Sequence, residues 1–149
     1  MKKSIAAIFI LALFLAGCGP QIADYQTGRV RINNIDIKVE VADTVLKQSQ
    51  GLSGRGSLPV NYGMLFPFNN LKNPPFWMGQ MKFPLDFIWL KADKVADIDA
   101  NVPVFDSPGN YASNIASAVD FPDYVIEVGA GFCEKNKIQI GDYVDLLLK

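Results

Sequence analysis

Apolar and polar side chains alternate along several short stretches of this chain, which is the period of a β-strand with one buried face. The longest stretch covers residues 29–41, and its phase changes at Asn33-Asn34. Asn tolerates a positive φ, so this pair predicts a two-residue hairpin turn or a bulge between two strands. Further strands are predicted at residues 63–68, 76–78, 85–91, 95–102, 124–128 and 143–148. Residues typical of turns separate them.

Helix-forming sequence is scarce in comparison. Asp43-Thr44 is placed to cap a short helix that continues to about Gln50, and Gly51 would end it. A second helical turn is predicted at residues 131–136. This pattern indicates a mainly β fold, either a compact β-sandwich or a partly open barrel, of about seven short strands with one or two short helices. Because no repeat divides the chain, a single β-rich domain is predicted over residues 28–149.

The N-terminal segment is apolar for a different reason. Lys2 and Lys3 precede an unbroken apolar run at residues 5–15. This run has the length of a signal-peptide hydrophobic region and is shorter than the roughly 20 residues that span a bilayer. Residues 1–17 are therefore predicted to be a signal peptide that is removed from the mature protein.

The motif Leu15-Ala16-Gly17-Cys18 follows this run and resembles the bacterial lipobox. In a lipobox, small residues precede a cysteine that receives a diacylglyceryl group before cleavage. The sequence thus predicts a lipidated Cys18 and a tether over residues 18–27, with an ordinary signal peptide and a chance cysteine as the alternative. Acyl chains would hold the domain on the exported side of the cell membrane or outer membrane, which makes the membrane its first expected partner.

Charge and composition exclude several functions. Residues 1–17 contain two Lys and no acid, so 12 basic and 15 acidic residues remain after cleavage. The basic residues are spread along the chain without the cluster that nucleic-acid binding requires, and no nucleic-acid partner is predicted. The chain has no His, which removes His-based acid–base catalysis and His-ligated metals. Cys133 has no partner for an intrachain disulfide once Cys18 carries lipid, and we interpret it as a buried apolar residue rather than a nucleophile.

Residues 97–101 begin like a calcium-binding EF-hand loop, with the sequence Asp-Ile-Asp-Ala-Asn. The positions that require Gly and Glu in that loop hold Val102 and Pro108, so the pattern fails. Strand alternation explains these acids better, with Asp97 and Asp99 on the solvent face of a hairpin. Neither a metal nor a cofactor is predicted.

Two carboxylates lie within apolar strands, Asp86 after an aromatic-rich run and Glu127 between Ile126 and Val128. A buried unpaired carboxylate is costly, so each should have an ion-pair partner or face a cleft. Arg55, in a Gly-rich loop, is the candidate partner. Trp77 and Met78 belong to the same aromatic-rich run and are candidates for the apolar wall of such a cleft.

Several short motifs follow one another in these regions: Gly51-Leu52, Gly63-Met64-Leu65-Phe66, Phe76-Trp77-Met78, Pro84-Leu85-Asp86, Val125-Ile126-Glu127-Val128, Ala130-Gly131 and Gly141-Asp142. This ordered set resembles the family called Domain of Unknown Function 192. The resemblance implies a compact β-rich sandwich or barrel, and members often follow signal peptides or lipoboxes. Two positions depart from the family pattern: Ser53 stands where an apolar residue, often Met, is usual, and Gly79 stands where a basic residue is often found. The lack of that basic residue disfavours an anionic ligand.

Three functions remain compatible with these residues. The favoured one is a non-catalytic envelope module that binds a glycan, a small metabolite or a protein, with Trp77 and Met78 as apolar wall and Arg55, Asp86 and Glu127 as polar contacts. An alternative is a hydrolase of envelope glycans with Asp86 and Glu127 as acid and base, which requires roughly 5–9.5 Å between the carboxyl groups. The last is a structural or assembly factor in which both acids form structural ion pairs.

Overall fold

The fold was analysed in a computed structural model, which describes residues 24–68, 72, 74–104, 115 and 119–148. The predicted signal peptide, Cys18 and most of the tether lie outside these residues, as does most of the loop expected between residues 103 and 120. Within the described ranges, no helix has the length and apolar character needed to cross a membrane.

The described chain contains seven strands and two short helices. The strands form one mixed sheet in the order β5-β4-β6-β3-β2-β1-β7, which curves into a half-barrel. This confirms the predicted mainly β class, and the architecture is the partly open barrel. In chain order the elements are β1 (Gln26–Ile32), β2 (Ile35–Val41), α1 (Val45–Gln50), β3 (Tyr62–Pro67), β4 (Leu85–Lys91), β5 (Lys94–Val102), β6 (Tyr124–Gly129), α2 (Phe132–Asn136) and β7 (Val144–Leu148).

The two edge strands approach each other at one end of the half-barrel. Lys94 at the start of β5 forms an antiparallel bridge with Tyr143, directly before β7. The Val144 N–H donates to the Asp93 carbonyl oxygen at 2.8 Å. These bonds connect β5 and β7, the two edge strands of the sheet. The parallel pairing of β2 with β3 places β3 in the interior of the sheet.

Local sequence sets several boundaries as predicted. Asn33 adopts a positive φ of 51° in the turn between β1 and β2. Thr44 caps α1, its hydroxyl oxygen accepting from the Lys47 N–H, and Gly51 ends that helix at φ 50°. The strand predicted at residues 76–78 is reduced to a single bridge between Phe76 and Ile115. The segment at residues 76–78 cannot form a longer strand because two prolines precede it and a turn follows at Gln80, where φ is 59°.

The sheet is covered on both faces, which explains the dense apolar runs in its central strands. One face, here called the aliphatic face, includes Leu65, Ile88 and Ile126 and packs against α2. The other, here called the aromatic face, includes Phe66 of β3, with Phe87 and Trp89 of β4.

Asp99 is only partly exposed, although the sequence prediction placed it on the solvent face. It lies opposite Phe87 in the β4–β5 pair and therefore shares the aromatic face. Its carboxylate accepts a hydrogen bond of 2.7 Å from the indole Nε1–H of the buried Trp89. The prediction failed because alternation assumes one wet face, whereas this part of the sheet carries a core on each side.

Candidate functional site

Asp86 is a fully buried structural acceptor. Its carboxylate accepts three backbone N–H bonds, from Asn101 at 2.8 Å, Gly131 at 3.2 Å and Cys133 at 2.9 Å. The last two donors belong to the start of α2, where helical N–H groups have no partner within the helix. Asp86 thus holds α2 and the end of β5 against β4. The prediction that an Arg or Lys would pair with it is not met, since backbone amides surround its oxygens instead.

Asp86 and Glu127 point to opposite faces of the sheet. In the β4–β6 pair, Phe87 lies opposite Glu127 and Asp86 lies opposite Val128. Directly opposed residues share a face and successive residues alternate, so the Glu127 side chain is on the aromatic face and the Asp86 side chain on the aliphatic face. The two carboxylates therefore do not flank one cleft, as an acid–base pair for glycan hydrolysis would require.

A cleft of about 560 Å³ lies on the aromatic face next to Glu127. Its walls come from α1 and the loop after it, from the end of β3, and from the segment around the two prolines. We call it the aromatic cleft. The described residues that line it are Val45, Gln48, Ser49, Gln50, Gly51, Leu52, Ser53, Phe66, Phe68, Pro74, Pro75, Phe76, Trp77 and Glu127.

Glu127 is the one charged or acidic residue among the described lining of this cleft and is only 5% exposed. No hydrogen-bond partner is found for its buried Oε2 among the described residues. Burial raises the pKa of Glu127 to about 8, and the positive charge of Arg55 offsets this only in part. At neutral pH the carboxyl group is therefore mostly protonated, and it can donate one hydrogen bond to a ligand or ionise when a cation arrives.

The backbone of Gly51 passes close to this carboxyl group. A Cβ built at that position would lie 3.8 Å from Glu127 Oε2 and 3.6 Å from the Phe66 ring. The residue also has a positive φ of 50°, which side chains rarely adopt. The glycine that ends α1 thus also lines the cleft, next to its one titratable group. The sequence analysis noted Gly51 only as a helix terminator and part of a family motif.

Arg55 does not form the predicted bond with either buried carboxylate. Its guanidinium donates to both carboxylate oxygens of Glu40, with Nη1 to Oε1 at 3.0 Å, and lies 5.7 Å from the centre of the Tyr25 ring. The hydrogen bonds to Glu40 are the main reason why the pKa of Arg55 is raised. Arg55 therefore acts on Glu127 only through its charge, and it is not one of the described residues that line the cleft.

The structure separates Trp77 from its neighbour Met78. Trp77 lines the aromatic cleft with 43% of its side chain exposed, as a wall residue should. Met78 is buried in the core of the aromatic face and does not line the cleft. In an extended segment adjacent side chains point in opposite directions, so only one of the pair can face the cleft.

The two positions that depart from the family pattern are in direct contact. The Ser53 hydroxyl donates to the Gly79 carbonyl oxygen at 3.0 Å, and the Gly54 N–H donates to the Gln80 carbonyl oxygen at the same distance. A Cβ at Gly79 would lie 2.2 Å from the Trp77 ring. The absence of a side chain at Gly79 is thus what allows the indole to lie over this backbone. Sequence spacing alone could not bring positions 53 and 79 together.

Metal binding finds no support in the described ranges, where no three His, Cys, Asp or Glu side chains are grouped closely enough to hold an ion. Cys133 belongs to α2 and is buried against the aliphatic face. Burial, followed by the negative charge of Asp86, raises the pKa of its thiol to about 12. A thiol in this environment is a poor nucleophile at neutral pH.

Comparison with known proteins assigns the family. Residues 28–146 match DUF192, described as an uncharacterized ACR, and the chain belongs to this family. This confirms the family resemblance that the ordered motifs indicated. No curated protein matches the chain.

Two solved structures share the fold. A proposed transcription regulator from Sinorhizobium meliloti 1021 has a TM-score of 0.73 and 26% identity, with 83% of this chain and 96% of that chain covered. A protein of unknown function from Novosphingobium aromaticivorans DSM 12444 has a TM-score of 0.67 and 28% identity, covering 80% of this chain and 83% of that one.

Proposed function

We propose that this protein is a membrane-anchored lipoprotein of the cell envelope whose domain binds a small organic ligand in the aromatic cleft without transforming it. The observation that carries the proposal is Glu127, a buried carboxyl group with an unpartnered oxygen in the lining of an apolar cleft. Leaving such a group unpaired costs about 1–3 kcal/mol, which a ligand that completes its hydrogen bonding recovers. Apolar clefts with few polar groups are typical of small-molecule sites.

Binding is favoured over catalysis by what the cleft contains. Its described lining includes two hydroxyls, Ser49 and Ser53, but the Ser49 hydroxyl donates to the Val45 carbonyl and that of Ser53 to the Gly79 carbonyl. Neither faces a base that would activate it. With Asp86 on the other face of the sheet, the described lining of the cleft offers Glu127 no second carboxylate with which to share acid–base work.

The proposed membrane anchor rests on the signal-peptide pattern and Cys18. Mass spectrometry of the mature protein should show a diacylglyceryl modification on Cys18 and a polypeptide that begins there. Expression of Cys18→Ser should release the protein from the membrane fraction. A wild-type protein that is unmodified and released would contradict the anchor.

Thermal melting against envelope glycans and small metabolites tests the binding function. A ligand at about 100 times its Kd stabilises by about 2.7 kcal/mol, which should raise Tm by roughly 6–15 °C. Trp77→Ala should reduce this shift because it removes an exposed cleft wall without opening the core. Glu134→Gln, an exposed substitution on α2, is the matched control and should leave the shift intact.

Absence of any shift across the panel would contradict small-ligand binding. The next candidate would then be a protein partner, and the surface to test would be α1. Its first two residues, Val45 and Leu46, are 81% and 74% exposed although both are apolar. Regulation of transcription, the role proposed for the Sinorhizobium neighbour, finds no support here because the basic residues of this chain are not clustered.

A further inference from the structure

We propose that the ligand of the aromatic cleft is a cation, an ammonium group on a small aromatic or apolar body, recognised by the Glu127 carboxylate and the Trp77 ring. This inference rests on the proposed function, because it assumes that the cleft binds a ligand, and it adds the chemical class.

The first argument for a cationic ligand is the charge of the cleft. Among its described lining residues there is no Lys or Arg, and Glu127 is the one group that titrates near neutral pH. The nearest positive charge, Arg55, is bound to Glu40. An anionic ligand would find no positive charge on the described lining, only a carboxyl group, neutral Gln and Ser side chains and apolar residues, whereas an ammonium group would find an acceptor in the unpartnered Glu127 Oε2. A buried carboxylate becomes stable once a cation pairs with it.

The second argument for a cationic ligand is the aromatic surface of the cleft. Trp77 lines the cleft and keeps 43% of its side chain exposed, while its ring lies over Gly79. Trp is the side chain whose ring face attracts cations most strongly. Phe66, Phe68 and Phe76 add apolar lining for the body of the ligand. A carboxylate together with an indole is a combination suited to an organic cation.

Proton release gives the inference a distinctive signature. Because burial raises the pKa of Glu127 to about 8, the carboxyl group must lose its proton when a cation binds at neutral pH. Few other charges face it: the loop after α1 contributes Arg55, and Lys47 of α1 is paired with Asp43. The adjoining residues of the sheet, Met64 of β3 and Phe87 of β4, are apolar. The ionised fraction of Glu127, and with it the affinity for a cation, should rise about 50-fold from pH 6 to pH 8.

Three probes that share one aromatic body test the charge preference: phenylethylamine, phenylethanol and phenylacetate, which are a cation, a neutral molecule and an anion. Isothermal titration of the purified protein at pH 6 and pH 8, in two buffers with different ionisation enthalpies, measures affinity and proton release together. We expect phenylethylamine to bind best, to bind about 50-fold more tightly at pH 8, and to release close to one proton at pH 6. Phenylacetate should not bind measurably.

Two variants connect the result to the residues. Glu127→Gln should abolish both the pH dependence and the preference for phenylethylamine over phenylethanol, while circular dichroism shows the fold retained. Trp77→Phe should keep part of the affinity and Trp77→Ala should lose most of it. Glu134→Gln, on the exposed side of α2, should bind like the wild type.

The outcomes separate this inference from the function on which it rests. Phenylethanol binding as tightly as phenylethylamine would overturn the preference for a cation, and so would phenylethylamine binding more tightly at pH 6 than at pH 8. Either result would leave a ligand-binding cleft in place. Failure of all three probes, combined with a thermal shift from some uncharged glycan or metabolite, would do the same. Failure of the probes and of the whole thermal panel would overturn the proposed function together with the inference.

Discussion

Replacing Glu127 with Gln should remove most of the pH dependence of folding stability between pH 5 and pH 8. The pKa of Glu127 is about 8 in the folded protein and near the ordinary value of 4.5 in the unfolded chain. The unfolded state therefore releases this proton first, and stability that is fully present below pH 4.5 is lost as the pH rises toward 8. Each pKa unit is worth 1.36 kcal/mol, so the loss from pH 5 to pH 8 is about 3.5 kcal/mol.

Urea unfolding at pH 5, 6, 7 and 8 measures this loss through the change in unfolding free energy at each pH. Every other titrating group also contributes, so the quantity of interest is the difference between wild type and Glu127→Gln at each pH. That difference should shift by about 3.5 kcal/mol in favour of the variant across the range. The amide buries a polar group of the same shape but cannot ionise, so its own cost does not vary with pH.

Glu134→Gln is the matched control because Glu134 is exposed and its removal should leave the curve parallel to that of the wild type. Parallel curves for wild type and Glu127→Gln would refute the reasoning. They would mean that the carboxyl group reaches water or a cation in the folded protein, and the proton-linked binding proposed for the cleft would fail for the same reason.

Three further predictions concern the residues around the site. Asp86→Ala leaves three backbone N–H groups unpaired and should lower the unfolding free energy by about 4.5 kcal/mol or more in urea titrations, since bonds to charged acceptors are worth about 1.5–3 kcal/mol each; a loss below about 1 kcal/mol would show that water replaces the carboxylate. Gly79→Ala places a Cβ against the Trp77 ring, so the indole should move outward, and its emission should become redder and more easily quenched by acrylamide, with an unchanged spectrum as the contrary result. Cys133, whose thiol has a pKa of about 12, should resist aromatic disulfide reagents at pH 8 until urea unfolds the domain, in the Cys18→Ser variant, where Cys133 is the remaining thiol; rapid labelling of the native state would contradict its burial.

Features fixed by neighbouring residues could be predicted from the sequence. The Asn33-Asn34 turn depends on side chains that tolerate a positive φ, and α1 depends on a cap at Thr44 and a terminator at Gly51. Each of these elements is confirmed, because its cause lies within a few residues. Alternation located the strands for the same reason, but it could not reveal that both faces of the sheet are covered. Asp99 was therefore misplaced.

The candidate site depended on pairings that local patterns do not contain. Asp86 and Glu127 present the same appearance in the sequence, a carboxylate within an apolar strand. Their fates differ because the antiparallel pairing of β4 with β6 places them on opposite faces, one against the amides of α2 and the other under a cleft. Arg55 was assigned to the wrong acid because Glu40, its actual partner, lies in a strand that alternates normally and gives no sign of a special role.

If the cleft binds a ligand as proposed, the loops joined by the contact between Ser53 and Gly79 are where ligand preference is set. Glu127 is carried by a central strand whose placement follows from the core, so relatives with the same strand should keep the buried acid. The wall of the cleft depends instead on two loops joined by the Ser53–Gly79 hydrogen bond, and on the space that Gly79 leaves for Trp77. A basic side chain at position 79 could not coexist with this Trp77 position and would add a positive charge to the neighbouring loop. Relatives with such a residue should therefore share the half-barrel and yet favour a ligand of different charge.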